Sequence, residues 1–359
     1  MIVTGYPGFD RTAQAAADLR ARVAEYAFQA AGGKRSDSYV GLGVDARRAV
    51  DMRAELTRRD GLMTLAERAQ ARATHTQVLL TRMQDIAKDF IGKANGLVGL
   101  YAETGPLVAQ SAQAALQEVV GMLGESFEGN FVFGGENTHK PPIVEPEQIF
   151  ATDMFTQIRN AVQTLNAGNG MAIAASTRAI AMDDSAVANP VFSEHARQAK
   201  LALITDSRRA VPIEEGVTVE IGMFVNRNAA AVSTHPDTTG SWSRDLLRGL
   251  MTLASIRPEE TQQGAGYIHV VQSALGAFRS CLQGLTEEAG ALGAQQARIE
   301  AAKIRHEEVS VQVEIQLGKV EHVELAEAIT RATATRSLLE ASYRSMSMLA
   351  DLSLARFLR

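Results

Sequence analysis

The chain has 359 residues, a formal net charge of -5, 46% hydrophobic residues and only 5% aromatic ones. That length is ample for a buried core, and the acidic balance excludes the electrostatic footprint of a nucleic-acid binder. A lone cysteine, Cys281, excludes an intramolecular disulfide and a cysteine-based metal site.

The opening MIVTGYPGFDRTAQ has neither a charged n-region nor an apolar h-region, so no secretory signal peptide is expected. No run of about 18 apolar residues offers a membrane span. Composition by itself therefore points to a cytosolic protein. From Ala13 to Ala31 the sequence predicts one helix, because Ala16, Leu19, Val23, Tyr26 and Ala30 recur at alternating three- and four-residue steps. GGKRSDSYVGLG, residues 32–43, breaks that period. A proline-free helical pattern follows from Asp45 to Leu100. Stepping from Leu62 gives Leu65, Ala69, Leu79, Met83, Ile86, Phe90, Leu97 and Leu100 on one face, interrupted by Arg72, Thr76 and Lys93. A pattern this long suggests a coiled coil or an extended bundle.

After Gly105-Pro106 a further helix runs to about Phe127, and GNFVFGGENTHKPP, residues 129–142, reads as a turn or short strand pair followed by an extended break. Between 143 and 260 the pattern is less regular. Ile149 to Leu165 is helical, GNG at 168–170 is a break, and residues 211–225 hold the best strand, with Val217, Val219 and Ile221 alternating. A short helix covers Arg244 to Ala254, and helical periodicity resumes at Gly266. Within it Val309, Val311, Val313, Ile315 and Leu317 alternate as in a strand; the surroundings favour helix, with Gly318 as a possible break point. The last segment steps through Leu325, Ile329, Ala332, Arg336, Leu339, Tyr343, Met346, Ala350, Ser353 and Phe357, an amphipathic stripe that needs a partner. The helix at Ala16 to Ala30 supplies a matching seam, so the two ends are expected to wrap round each other, with the pair completed by neighbouring subunits.

Little in the sequence points to chemistry. GLGVDA, residues 41–46, has dinucleotide-loop spacing, but GGKRSDSYV precedes it where a strand is required; it reads as a glycine-bearing start of a helix. GGKRS lacks the earlier glycine of a phosphate loop. His306-Glu307-Glu308 and Glu321-His322 read as solvated helical faces, without metal-ligand spacing. Asp183-Asp184 and Glu287-Glu288 read as surface charges, and Cys281 as a small buried hydrophobe. No catalytic residue, cofactor or metal is expected, and no enzyme activity.

AAGGKRSDSYVGLGVDARRAVDMRAELTRRD with its long helix resembles the N-terminal region of bacterial flagellins and their hook-associated relatives. GKVEHVELAEAITRATATRSLLEASYRSMSMLADLSLARFL resembles their C-terminal region. The two departures are SDSYVGLGVD in place of the family's Asp-Asp-Pro-like stretch, and Val320-Glu321-His322-Val323-Glu324 in place of its Ile-Glu-Asp-x-Asp. With their helical continuations the two stretches cover residues 1 to about 140 and 265–359.

The resemblance implies a mainly α, elongated fold with paired terminal helices, a long-helix bundle and a small inserted α+β domain. The segments it implies are 1–40 (coiled coil), 41–140 (bundle), 141–262 (inserted outer domain), 263–320 (bundle) and 321–359 (coiled coil). It implies a structural subunit of the flagellum, exported through the flagellar type III apparatus without a cleaved signal peptide, and so replaces the cytosolic reading. Its partners would be copies of itself, other hook-associated proteins and flagellin, and an export chaperone on the C-terminal helix, with no nucleic acid and no membrane insertion. The assembly interface would be Leu19, Val23, Tyr26, Leu325, Ile329, Leu339, Tyr343, Met346, Leu352, Phe357 and Leu358. Within the family, FVFGGENTHKPPI (Phe131 to Ile143), the modest middle segment and Cys281 favour the hook-filament junction branch, hook-associated protein 3, over flagellin. A cytoplasmic helical scaffold or signalling protein is the more distant alternative.

Overall fold

The computed structural model describes residues 7–99, 102–135, 137–185, 187–200 and 208–357, with the backbone alone at 7–10, 102, 199–200 and 349–357. Helix α1 spans Pro7–Gly32. It stops where Gly33 adopts a left-handed φ of 63° and donates its N–H to the Gln29 carbonyl at 2.8 Å, a glycine C-cap. A 3-10 turn, Tyr39–Asp45, leads into α2, Ala46–Val98, whose 53 residues contain no proline. Helix α3, Gly105–Leu123, carries Pro106 in its first turn, where no N–H partner is needed. Strands β1 (Ser126–Phe127) and β2 (Asn130–Phe131) form an antiparallel pair.

Helix α4, Asp153–Gln163, is N-capped by Thr152, whose hydroxyl accepts the Phe155 N–H at 3.4 Å. Helices α5 (Gly170–Met182) and α6 (Glu194–Lys200) precede the antiparallel strands β3 (Ala210–Glu214) and β4 (Val217–Glu220). Then come α7 (Trp242–Ala254), the short α8 (Pro258–Thr261), the 57-residue α9 (Ala265–Glu321) and α10 (Leu325–Phe357). The chain is thus mainly α, with two small two-stranded sheets among the described residues.

Two compact units divide these elements. The first comprises Met1–Gly61 and Arg305–Arg359, the second Leu62–Ile304. In the second, the expected face of α2 is buried at Ala69, Leu79, Met83, Ile86, Phe90 and Leu97, while Leu65 is exposed. The polar interruptions Arg72 and Thr76 are buried too. Arg72 donates to the Phe131 carbonyl at 2.8 Å, tying α2 to strand β2, and burial pushes its pKa down to about 10.

At the centre of this unit lies α7, buried along its whole length and packed on α3, α4 and α5. A helix without a solvent face must satisfy its polar side chains internally. Asp245 does so by accepting the hydroxyls of Thr238 at 2.7 Å, Thr239 at 2.8 Å and Ser280 at 2.7 Å, and the Thr239 N–H at 2.7 Å. Glycines bring α9 against α7: a β-carbon on Gly249 would lie 2.7 Å from the Phe278 ring, and one on Gly284 2.8 Å from the Trp242 side chain. Gly249→Val should therefore overpack this contact and cost about 1–3 kcal/mol. Urea unfolding followed by the fluorescence of Trp242, the single tryptophan, reads it; an unchanged midpoint would show that α7 and α9 can part without loss.

The structure corrects several sequence expectations and bears out two, the helix at Val309 to Leu317 and the burial of Cys281. Residues 211–225 are not one strand: the chain turns at Glu215-Gly216 into a hairpin with β3 and β4. Val309 to Leu317 is helix throughout, and Gly318 lies inside α9. Asp183-Asp184 and Glu287-Glu288 are not simply surface charges, since Asp184 and Glu288 are buried. His306 is buried as well, with Nδ1 3.4 Å from Arg59 Nη1. The side chain of Cys281 is fully buried, and burial raises its thiol pKa well above the ordinary value.

Candidate functional site

In the first unit α1 packs against α10. The two helices are antiparallel, because Lys34 bridges His322 at one end and Ala16 shares a groove with Tyr343 and Met346 at the other. The α1 side of the seam follows the expected steps: Ala16 is buried, and Leu19, Val23, Tyr26 and Ala30 are half-buried. On α10 the buried or half-buried positions are Ala328, Ala332, Thr335, Leu339, Ser342 and Met346, again at four- and three-residue steps. These are small or hydroxyl-bearing at alternate positions, which lets the two backbones approach.

Among the described side chains, the expected stripe therefore coincides with this seam only at Ala332, Leu339 and Met346. Its other members lie one residue further round the helix. Leu325 and Ile329 are each 50% exposed and Tyr343 is 48% exposed. Leu352 and Phe357 belong to α10 but their side chains lie outside the described residues, as does Leu358. Large apolar groups held in water forgo about 1.5–3 kcal/mol each. Leu338, Met348 and Phe28 are exposed on the same helix pair.

The breaks at the two ends of the chain meet. Between α1 and α2, Arg35 donates its N–H to the Glu321 carbonyl at 2.6 Å, and Val323 donates to the Gly33 carbonyl at 3.0 Å. Glu321 also receives Arg53 at 2.8 Å, and Arg53 donates to the Tyr39 hydroxyl at 2.9 Å. The carboxylate, then the hydroxyl, raise the Arg53 pKa. Beneath them Leu42, Ala49 and Val320 form a small apolar cluster. Arg35 pairs with Asp45 at 3.0 Å across the loop.

GLGVDA lies in the 3-10 turn and the first residue of α2. Gly43 has a left-handed φ of 56°, a conformation open to glycine, and the chain then presents Val44 at 97% exposure. Sequence reasoning named none of Val40, Val44, Val311 and Ile315 as interface residues; Val311 and Ile315, on α9, are about half exposed. Their signal was an apolar position outside the helical seam. No group of three metal-ligating side chains occurs among the described residues, and no described helix is long and apolar enough to cross a membrane.

The arrangement is thus a helix pair with one seam closed inside the chain and a second apolar face left open. Residues 275–358, most of α9 together with α10, match the bacterial flagellin C-terminal helical region. No curated protein matches the chain.

Proposed function

From a C-terminal helical region of flagellin type, we propose that the chain is a structural subunit of the bacterial flagellum, self-assembling and without catalytic activity. The observation that carries this reading is the open face of α10, with Leu325, Ile329 and Tyr343 exposed on the matched region. Neighbouring subunits cover that face in the assembly. In this reading residues 1–40 and 321–359 are the coiled-coil segments, 41–140 and 263–320 the bundle, and 141–262 an inserted outer domain. Of the interface expected from the sequence, Leu325, Ile329 and Tyr343 supply the open face that meets neighbouring subunits, Leu19, Val23, Tyr26, Leu339 and Met346 close the α1–α10 seam that holds it, and Leu352, Phe357 and Leu358 are proposed to extend it. Export through the flagellar type III apparatus, with a chaperone on α10, delivers the subunit.

Within the flagellum we assign it to the junction between hook and filament, as hook-associated protein 3. The aromatic-glycine turn followed by proline at Phe131 to Ile143 favours that branch, as do the modest middle segment and the presence of Cys281. Flagellin is the second reading, and the matched C-terminal region is compatible with either. Deletion separates them. Loss of a junction protein leaves hooks in place and flagellin escaping into the medium as monomer. Loss of flagellin leaves capped hooks without filament. Intact hooks and filaments after deletion would contradict both.

Introducing aspartate at Leu325, Ile329 and Tyr343, the exposed members, should abolish incorporation into flagella, because burial of each charge against a neighbouring subunit costs several kcal/mol. The thermal transition of the second unit should be unchanged. Normal motility of that variant would refute the interface.

A further inference from the structure

Beyond the α1–α10 pair, the first unit presents a second apolar feature. A groove between the start of α2 and the end of α9 is lined by Val44, Met52 and Val313, with Arg47 and Arg48 beside them and Asp51 and Glu55 at its edge. Its acids are already matched by arginines. Asp51 lies 3.9 Å from Arg47, and Glu55 is held by both Arg58 and Arg59. Counting the lining together with the two arginines that hold Glu55, Arg47, Arg48, Arg58 and Arg59 stand against Asp51 and Glu55, a local surplus of two positive charges.

The opposite chemistry stands at the start of α10. Leu325 and Ile329 lie one helical turn apart on the exposed face, and Ala328 is the residue buried on the α1 side. Residues 321–329 contain Glu321, Glu324 and Glu327 and no lysine or arginine. Glu321 is engaged by Arg53. Glu324 remains at the helix start, and Glu327 forms only an exposed pair with Arg331 on its own helix, which is worth little. Two apolar side chains at i and i+4 flanked by acids are suited to an apolar groove flanked by bases.

We propose that the Val44–Met52–Val313 groove receives the Leu325/Ile329 face of α10 from a second copy of this chain, with Glu324 and Glu327 set against Arg47 and Arg48. The proposal rests on the reading of the chain as a self-assembling subunit and gives that assembly a specific contact. The two surfaces differ, so the contact is heterologous. It does not close as a two-fold dimer but propagates into a ring or a helical array.

A charge swap tests it in the full-length chain, expressed in a strain deleted for the native copy. The variants are R47E/R48E, E324R/E327R and the combination of all four, with the amount of chain in sheared flagella as the readout. Each pair alone should lower incorporation by about tenfold or more through like-charge contact, and the combination should recover most of it. A misfolding effect would not be recovered. A second measurement mixes Val44→Cys chains with Ile329→Cys chains under mild oxidation; a disulfide dimer should form only in the mixture, because Cys281 is buried. Wild-type incorporation by either charge pair, no recovery in the combination, or no cross-link in the mixture overturns the contact alone. Absence of the wild-type chain from flagella overturns the flagellar reading and the contact with it.

Discussion

Arg244→Ala should cost the second unit about 3–5 kcal/mol, because it strands a buried carboxylate. Arg244 and Asp184 form an ion pair in which both side chains are almost wholly inaccessible. The guanidinium also donates to the Asn226 carbonyl at 2.9 Å and the Ala181 carbonyl at 2.8 Å, and lies 4.7 Å from the centre of the Phe192 ring. Burial lowers the Arg244 pKa, and Asp184 opposes that shift. One side chain thus joins the end of α5, the segment after β4 and the central helix α7. Asp184→Asn combined with Arg244→Met removes both charges and should recover part of the loss, though not the two carbonyl bonds. Urea unfolding read by Trp242 fluorescence gives all three values. A loss below about 1 kcal/mol for Arg244→Ala would mean that water reaches Asp184 and the pair is not structural.

Glu288→Ala should be of similar size, about 3–5 kcal/mol, by a different route. The Glu288 carboxylate is buried and accepts three successive backbone N–H groups, from Ala229 at 2.6 Å, Ala230 at 3.0 Å and Ala231 at 3.1 Å. Glu287 accepts the next, from Val232, at 2.8 Å. Removing Glu288 leaves donors without acceptors inside the protein. Amide exchange at Ala229 to Ala231 should rise by about 100-fold or more, and tryptic cutting after Arg227 should begin. Unchanged exchange there would sink the prediction. Val232, then Gln283, hold the Glu287 pKa below the ordinary carboxylate value. Its contribution is therefore complete above the unfolded pKa of about 4.3 and is lost as pH falls through the lower folded value.

The long helices were legible because Leu79, Met83, Ile86 and Phe90 repeat at helical steps over many turns, which strands cannot mimic. The α1 side of the seam was legible for the same reason. The α10 side was misplaced by one residue because Ala328, Thr335 and Ser342 are buried for their small size, a property that a hydrophobic stripe does not register. The strand-like alternation at Val309 to Leu317 is two helical stripes superposed: Val309, Val313 and Leu317 are half-buried, while Val311 and Ile315 face water. Helix α5 went unread, since its buried residues Ile173, Thr177 and Ala181 mark too short and too polar a face. Asp184 and Glu288 went unread because their partners, Arg244 and the Ala229 to Ala231 amides, are 60 and about 58 residues away. Single-sequence spacing carries no trace of such pairs.

The bond from Arg53 to Glu321 spans 268 residues of chain, and that separation governs time. Closing so long a loop adds little to the equilibrium cost, about 0.6 kcal/mol per doubling, but it orders events during synthesis. Residues 62–304 have all been made before residues 305–359 follow, so the second unit can collapse first. Residues 1–61, although made earlier than the second unit, must wait for residues 305–359.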